Sequence, residues 1–161
     1  EIGLSKKLMN GDDITVVSMS YMTVEALKAC KYLKEKGINV DLIDLRSIKP
    51  LDIENIVKSL SKTGKILVLD TGAKTCSVAS DIIAKISTDN FILLKQKPKI
   101  LAMPDCPEPT SYGLTKRYYK SAADVAYEIL NILDIKKIDP YIDIQQPLHH
   151  DIPGEWFKGP F

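Results

Sequence analysis

The chain has 161 residues, an ordinary length for one domain, and its 45% hydrophobic and 27% charged residues are typical of a globular protein. Its net charge of +1, from 22 basic and 21 acidic residues, gives no electrostatic argument for binding to nucleic acid or to an anionic membrane. No apolar run approaches the roughly 20 residues that span a bilayer. No signal peptide is visible at the N-terminus. The three widely spaced cysteines make a reducing cytoplasm the expected location. Because the first residue is not Met, we expect a piece of a longer protein or a trimmed chain.

The first part of the chain alternates between strand and helix patterns. Residues 6–9 precede an Asn-Gly turn signal and are predicted to form a short edge strand. The near-continuous apolar run at 14–18 is typical of a parallel strand covered on both faces. Residues 21–36 carry apolar side chains at helical spacing, and a second buried strand is predicted at 40–45.

The same alternation continues toward the C-terminus. An amphipathic helix is predicted at 52–61, a third buried strand at 65–70, and a helix at 77–87. The fourth apolar strand, 99–103, stops at a proline. The last helix, 122–133, begins with a sequence that resembles a capping box. Repeated strand–helix alternation favours an α/β fold with a parallel sheet and helices on both faces.

Beyond the last helix the periodic pattern fades. We therefore divide the chain into an α/β domain, residues 1–133, and a proline-containing extended tail, residues 134–161, which lies over the domain or reaches a partner. The adjacent His149 and His150 in this tail lack the spacing of helical metal ligands, and we expect them to be exposed to solvent.

The three cysteines are widely spaced. An odd number at this spacing argues against a disulfide framework and against a zinc site. Cys30 lies within a helical pattern and is expected to fill the core.

Polar residues collect where the predicted strands end. In an open α/β sheet, ligands bind beyond the carboxyl ends of the strands, so these residues are candidates for contact with a partner or an anion. We call them the strand-end ring: Ser20, Arg46, Asp70, Thr71, Gly72, Lys74, Thr75 and Asp105.

Each part of the strand-end ring also has a structural interpretation. The segment 70–75 leads to a helix N-terminus that could hold a phosphate, but P-loop spacing is absent and an ordinary turn and cap is the alternative. Arg46 can form a structural pair with Asp44, and Ser20 can cap a helix. No nucleophile, base and orienting group occur together, so no catalytic residue is assigned. An independent enzyme that uses Asp70, Lys74 or Asp105 as acid–base groups is therefore disfavoured.

Several segments together match the sequence motifs of a known protein family. The sequence at 40–52, Val-Asp-Leu-Ile-Asp-Leu-Arg-Ser-Ile-Lys-Pro-Leu-Asp, is the most specific of them, and residues 11–18, 61–70 and 104–109 also match. Over 1–133 the chain resembles the C-terminal domain of transketolase-like, thiamine-diphosphate-dependent enzymes. Within that group it resembles the beta subunit of the 2-oxo acid dehydrogenases for pyruvate and branched-chain substrates.

The resemblance implies a three-layer α/β/α domain whose mostly parallel sheet of about five strands has one antiparallel edge strand. In that family two other domains hold thiamine diphosphate and Mg²⁺, one of them through a Gly-Asp-Gly motif that this chain lacks. The domain alone is therefore expected to bind no cofactor or metal and to catalyse nothing.

The resemblance also implies what this domain contacts. The expected partners are the thiamine-binding domains or subunit, further copies in a homo-oligomer, and an acyltransferase core, with no nucleic acid and no membrane. The segment 70–77 replaces a glycine-rich turn usual in the family, and the tail is an addition, so substrate and partner can differ. The alternative function is a free-standing module that binds a protein or an anion without turnover.

Overall fold

A five-stranded mixed sheet lies at the centre of the computed structural model, which describes residues 2–116 and 118–144. Its strands follow the spatial order β1-β3-β2-β4-β5. β1 is antiparallel to β3, whereas the other neighbours are parallel. This arrangement confirms the predicted α/β class with its antiparallel edge strand. The strands are β1 (Lys6–Met9), β2 (Ile14–Ser18), β3 (Val40–Asp44), β4 (Ile66–Ala73) and β5 (Lys99–Met103).

Helices cover both faces of this sheet. α1 and α5 pack with one set of strand side chains, and α2 and α3 pack with the other, which confirms the three-layer arrangement. A single 3-10 turn, Phe91–Leu93, precedes β5. The helices are α1 (Tyr21–Glu35), α2 (Ile53–Thr63), α3 (Val78–Asp89), α4 (Tyr112–Thr115), α5 (Ala122–Ile132) and α6 (Pro140–Asp143).

Alternate side chains of the central strands enter the two cores. In β2, Val16 packs toward α1 and α5, whereas Val17 packs toward α2 and α3. Because successive strand residues point to opposite faces, a strand covered on both sides needs apolar residues at almost every position. This requirement explains the continuous apolar runs in the sequence.

Local hydrogen bonds define the ends of two predicted helices. The Asp52 side chain accepts from the backbone N–H of Asn55 at 3.2 Å, and Gly64 ends α2 with a left-handed φ of 71°. Ser121 and Asp124 form a reciprocal capping box at the start of α5, as the sequence predicts.

The described part of the predicted tail includes the one-turn helix α6. Tyr32 donates to Asp143 at 2.7 Å, and Tyr141 donates to Asp124 at 2.8 Å, so α6 is held against α1 and α5. His149 and His150 lie outside the described residues. Within the ranges 2–116 and 118–144, none of the helices has the length and apolarity required to cross a bilayer.

A polar cluster is buried at the amino ends of the parallel strands. Asp41 is fully buried, and its carboxylate accepts hydrogen bonds from Lys7 at 2.8 Å and from Ser59, while Lys62 lies 3.5 Å away. Burial alone would raise the pKa of Asp41. Hydrogen bonds from Lys7 and Ser59, together with the nearby ammonium charges, outweigh that effect and lower its pKa. Asp41 is the second residue of β3, where the sequence pattern predicts only a buried run.

We expect Asp41→Asn to lower the free energy of unfolding by roughly 2–4 kcal/mol at neutral pH, because two lysines then lose their buried counter-charge. Since the native pKa is lowered, the contribution of the carboxylate is fully present above its ordinary pKa near 4 and is lost as the pH falls through the native value. Urea unfolding at pH 7 and at pH 3 measures this effect. The difference in the free energy of unfolding between wild type and variant should be smaller at pH 3 than at pH 7.

Asp12→Asn is the matched control for this experiment. Asp12 lies 3.2 Å from the same Lys62, but its side chain is 83% exposed. Its loss should cost less than about 1 kcal/mol. If both variants lost a similar free energy of unfolding, the burial of Asp41 would not determine how much it stabilises the fold.

Candidate functional site

The carboxyl ends of the parallel strands form the edge of the sheet at which a ligand or partner is expected to bind. β2 and β4 are neighbours, and the helices that follow them, α1 and α3, cover opposite faces of the sheet. Adjacent strands that lead to opposite faces leave a crevice between their connecting loops. We call this side of the molecule the carboxyl edge and define it by the segments that follow β2, β3, β4 and β5, namely 19–21, 45–52, 74–77 and 104–121.

Three non-glycine residues at the carboxyl edge have left-handed backbone conformations. Ser20, Arg46 and Cys76 have φ values of 51°, 55° and 57° and follow β2, β3 and β4 in turn. Ser20 combines its positive φ with a ψ of −135°, a combination that glycine tolerates far better than serine. Strain of this kind is concentrated at functional positions in proteins.

Arg46 is held beside Asp44 but keeps much of its surface exposed. Its Nε atom lies 3.6 Å from an Asp44 carboxylate oxygen, and Thr23 donates to the other oxygen at 3.3 Å. The guanidinium side chain is 53% exposed. The structural pairing that the sequence suggests therefore exists, and it leaves Arg46 accessible to a partner.

Asp70 occupies the place where an external anion would meet α3. Its carboxylate accepts from the backbone N–H groups of Gly72 and Ala79, both at 3.0 Å. The Ser77 hydroxyl accepts from the backbone N–H of Ser80, also at 3.0 Å. Two donors at the helix N-terminus are thus already used by the chain itself, so the turn-and-cap interpretation accounts for this segment.

Thr75 and Asp105 join the loops that follow β4 and β5. The backbone N–H and the hydroxyl of Thr75 donate to the two oxygens of Asp105, each at 2.8 Å. These two hydrogen bonds, followed by the charge of nearby Lys74, lower the pKa of Asp105. We call this pair the loop clamp. It fixes the relative position of two loops that the sequence leaves independent.

The structure groups the strand-end ring into two parts. Ser20 and Arg46 follow β2 and β3, whereas the other six residues lie along β4 and the loop clamp. β4 continues to Ala73, so Thr71 and Gly72 are strand residues rather than loop residues. The predicted strand at 65–70 was too short because Thr71 and Gly72 lie within an irregularity of the pairing, after which Ala73 pairs with Met103 of β5.

Exposed apolar side chains at the carboxyl edge are absent from the sequence prediction. Ile48 is 54% exposed, and Leu114, in the one-turn helix α4 after β5, is 67% exposed. Leu4, 52% exposed, is brought to the same edge by the hydrogen bond of Ser5 to Asp52 at 2.8 Å. These three residues could have been identified in the sequence as large apolar residues that fit no strand or helix periodicity.

The sequence and the fold of this chain can be compared with those of known proteins. Residues 3–125 match the family described as "Transketolase, C-terminal domain". The chain belongs to the transketolase C-terminal domain family, which confirms the resemblance drawn from the motifs.

Individual relatives agree with this membership. The chain is 32% identical over 124 residues to the acetoin:2,6-dichlorophenolindophenol oxidoreductase subunit beta of Cupriavidus necator, covering 77% of this chain and 37% of that protein. It is 34% identical over 134 residues to the pyruvate dehydrogenase E1 component subunit beta of Rickettsia bellii, covering 83% and 41%. A split-gene transketolase solved as an inactive beta4 tetramer superimposes with a TM-score of 0.72 at 27% identity, covering 85% and 44%. The chain thus spans less than half the length of these relatives.

We expect Ser20→Gly to raise the free energy of unfolding by about 1 kcal/mol, because relief of the backbone strain exceeds the added entropy of the unfolded chain. Thermal or urea unfolding measures the change. Ser20→Ala is the control: it removes the hydroxyl, which makes no cap hydrogen bond, but keeps the Cβ atom. Equal stability of the alanine and glycine variants would contradict the assignment of strain to this position.

Proposed function

We propose that this chain is the C-terminal assembly and docking domain of a thiamine-diphosphate-dependent enzyme, either a 2-oxo acid dehydrogenase beta subunit or a transketolase-like enzyme. The carboxyl edge is the proposed contact surface for the cofactor-binding domains. The observation that carries this proposal is the exposure of Ile48 and Leu114 beside the strand-end ring.

The composition of the carboxyl edge supports a protein contact. Large apolar side chains surrounded by polar groups are typical of surfaces that bind other proteins. Here Ile48 lies two residues after the exposed Arg46, and Leu114 lies two residues after the exposed Tyr112. The loop clamp restricts the motion of the loops before any partner binds, which lowers the entropy cost of association.

Family membership supports the identity of the partner. In the enzymes that the chain resembles, thiamine diphosphate and Mg²⁺ are bound by other domains, and the cofactor supplies the chemistry. The described relatives are named as beta subunits, and one solved relative is a beta4 tetramer. These names support a subunit partner and self-association for this chain. An acyltransferase core is a further proposed partner, and the cytoplasm is the proposed location.

The alternative proposal is a free-standing module that holds a protein or an anion. The anion version has less support, because Asp70 and Ser77 already accept from backbone N–H groups of α3. The protein version uses the same carboxyl edge but requires no cofactor-binding partner. The boundary proposed between domain and tail, at residue 133, is common to both alternatives.

The test is reconstitution of the full chain with candidate cofactor-binding polypeptides from the same organism. Size-exclusion chromatography measures association. Thiamine-diphosphate-dependent decarboxylation of 2-oxo acids and ketol transfer between sugars measure activity. Co-elution, with activity only in the mixture, is the expected result. A chain that associates with none of the cofactor-binding polypeptides supports the free-standing module instead.

We expect Ile48→Glu or Leu114→Glu to weaken this association at least tenfold, because each variant places a charge in the apolar part of the proposed interface. Both side chains are exposed, so the fold should be retained, which circular dichroism checks. Ile92→Glu is the matched control, since Ile92 is 92% exposed but precedes β5, at the opposite edge of the sheet. Equal weakening by all three variants would argue against the carboxyl edge as the contact surface.

A further inference from the structure

Two exposed cysteines directly follow the residues of the loop clamp. Cys76 comes after Thr75, and Cys106 comes after Asp105. Both cysteines are exposed and have free thiols. The hydrogen bonds of the clamp, 2.8 Å each, therefore join the positions immediately before the two thiols.

The strand register shows that the two loops that carry these thiols begin side by side. Ala73 of β4 is paired with Met103 of β5, and the backbone N–H of Lys74 donates to the carbonyl of Met103 at 3.2 Å. Cys76 and Cys106 each lie three residues beyond that registered pair. Neighbouring strands are about 4.8 Å apart, and a disulfide joins residues whose Cα atoms are about 4.4–6.8 Å apart. The strand pairing ends at Ala73 and Met103, and Cys76 lies in a turn with a φ of 57°. The loop clamp, and not a continued register, therefore holds the two cysteine-bearing loops beside each other.

We propose that Cys76 and Cys106 form a reversible disulfide that covalently joins the loops after β4 and β5. The spacing along the chain gave no sign of this pair, because the two loops are brought together only by the parallel pairing of β4 and β5. The disulfide would fasten the same two loops as the loop clamp. This inference goes beyond the proposed docking function and requires no partner.

The reaction is a thiol–disulfide exchange with a small disulfide oxidant such as glutathione disulfide. One cysteine thiolate attacks a sulfur of the oxidant, forming a mixed disulfide and releasing one glutathione thiolate. The second cysteine then attacks the protein sulfur of the mixed disulfide and releases the second glutathione. One S–S bond forms in the protein and one breaks in the oxidant, and the two thiol protons pass to the two glutathione molecules.

Cys30 provides an internal control because it is an unreactive thiol of the same chain. It is fully buried within α1, and burial raises its pKa to about 12. The thiolate is the nucleophile in disulfide exchange, so Cys30 should not take part at neutral pH.

The experiment exposes the full chain, native and at low concentration, to a mixture of oxidised and reduced glutathione, followed by alkylation and peptide mass spectrometry. The expected product is a peptide in which Cys76 is linked to Cys106, with the loss of two hydrogen atoms and reversal by dithiothreitol. Cys30→Ser should retain this link. Cys106→Ser should lose it and leave Cys76 as a single mixed disulfide with glutathione.

Two results would overturn the proposal. One is the accumulation of molecules that carry glutathione on both Cys76 and Cys106 without the linked peptide. The other is the formation of disulfide-linked dimers in place of the internal link. Because the decisive measurement uses the wild-type chain, it does not depend on the folding of any variant. It also does not depend on finding a docking partner, so failure of the proposed function and failure of the disulfide can be told apart.

Discussion

Burial of the central strands on both faces is the constraint on which the rest of this structure depends. β2 and β3 have almost no exposed residues, and β4 is buried until its last three. With apolar side chains needed on both sides, polar groups are restricted to the ends of the strands. The polar groups of the central strands therefore lie at the two ends of these strands, and the two ends differ in how those groups are paired.

At the amino ends of the strands, the polar side chains are buried and paired with one another. The carboxylate of Asp41 is surrounded by the ammonium groups of Lys7 and Lys62 and by the hydroxyl of Ser59, while Thr15 contacts Ser59 and Thr63 at 2.7 Å. Within the described part of the chain, no buried side-chain oxygen or nitrogen is left without a hydrogen-bond partner. A charge so fully paired stabilises the fold and leaves little for an external ligand.

The carboxyl edge has the opposite character. Ser20, Arg46 and Cys76 keep strained backbone conformations there, and apolar side chains remain in contact with solvent. Neither feature stabilises the isolated domain. Both become understandable if this edge is covered by another polypeptide, which would bury the apolar surface and hold the loops in place.

The sequence predicts the fold better than it predicts the site, for a physical reason. Elements such as 14–18 and 52–61 follow from local periodicity, and the motif at 40–52 is specific enough to indicate the family. Contacts such as Asp41 with Lys7, or Thr75 with Asp105, join residues far apart in the chain. Local patterns contain no information about such pairs, so the candidate residues could be chosen from strand ends but their partners could not.

The loop clamp is a long-range contact whose position depends on locally predictable strands. Parallel pairing between β4 and β5 is set by their apolar residues, yet its effect reaches past the strands into the loops, where Thr75 meets Asp105. Since the hydrogen bonds are formed by the chain itself, the edge has its shape before any partner arrives. Two loops ordered in this way would lose less conformational freedom in the proposed docking than a pair of independent loops.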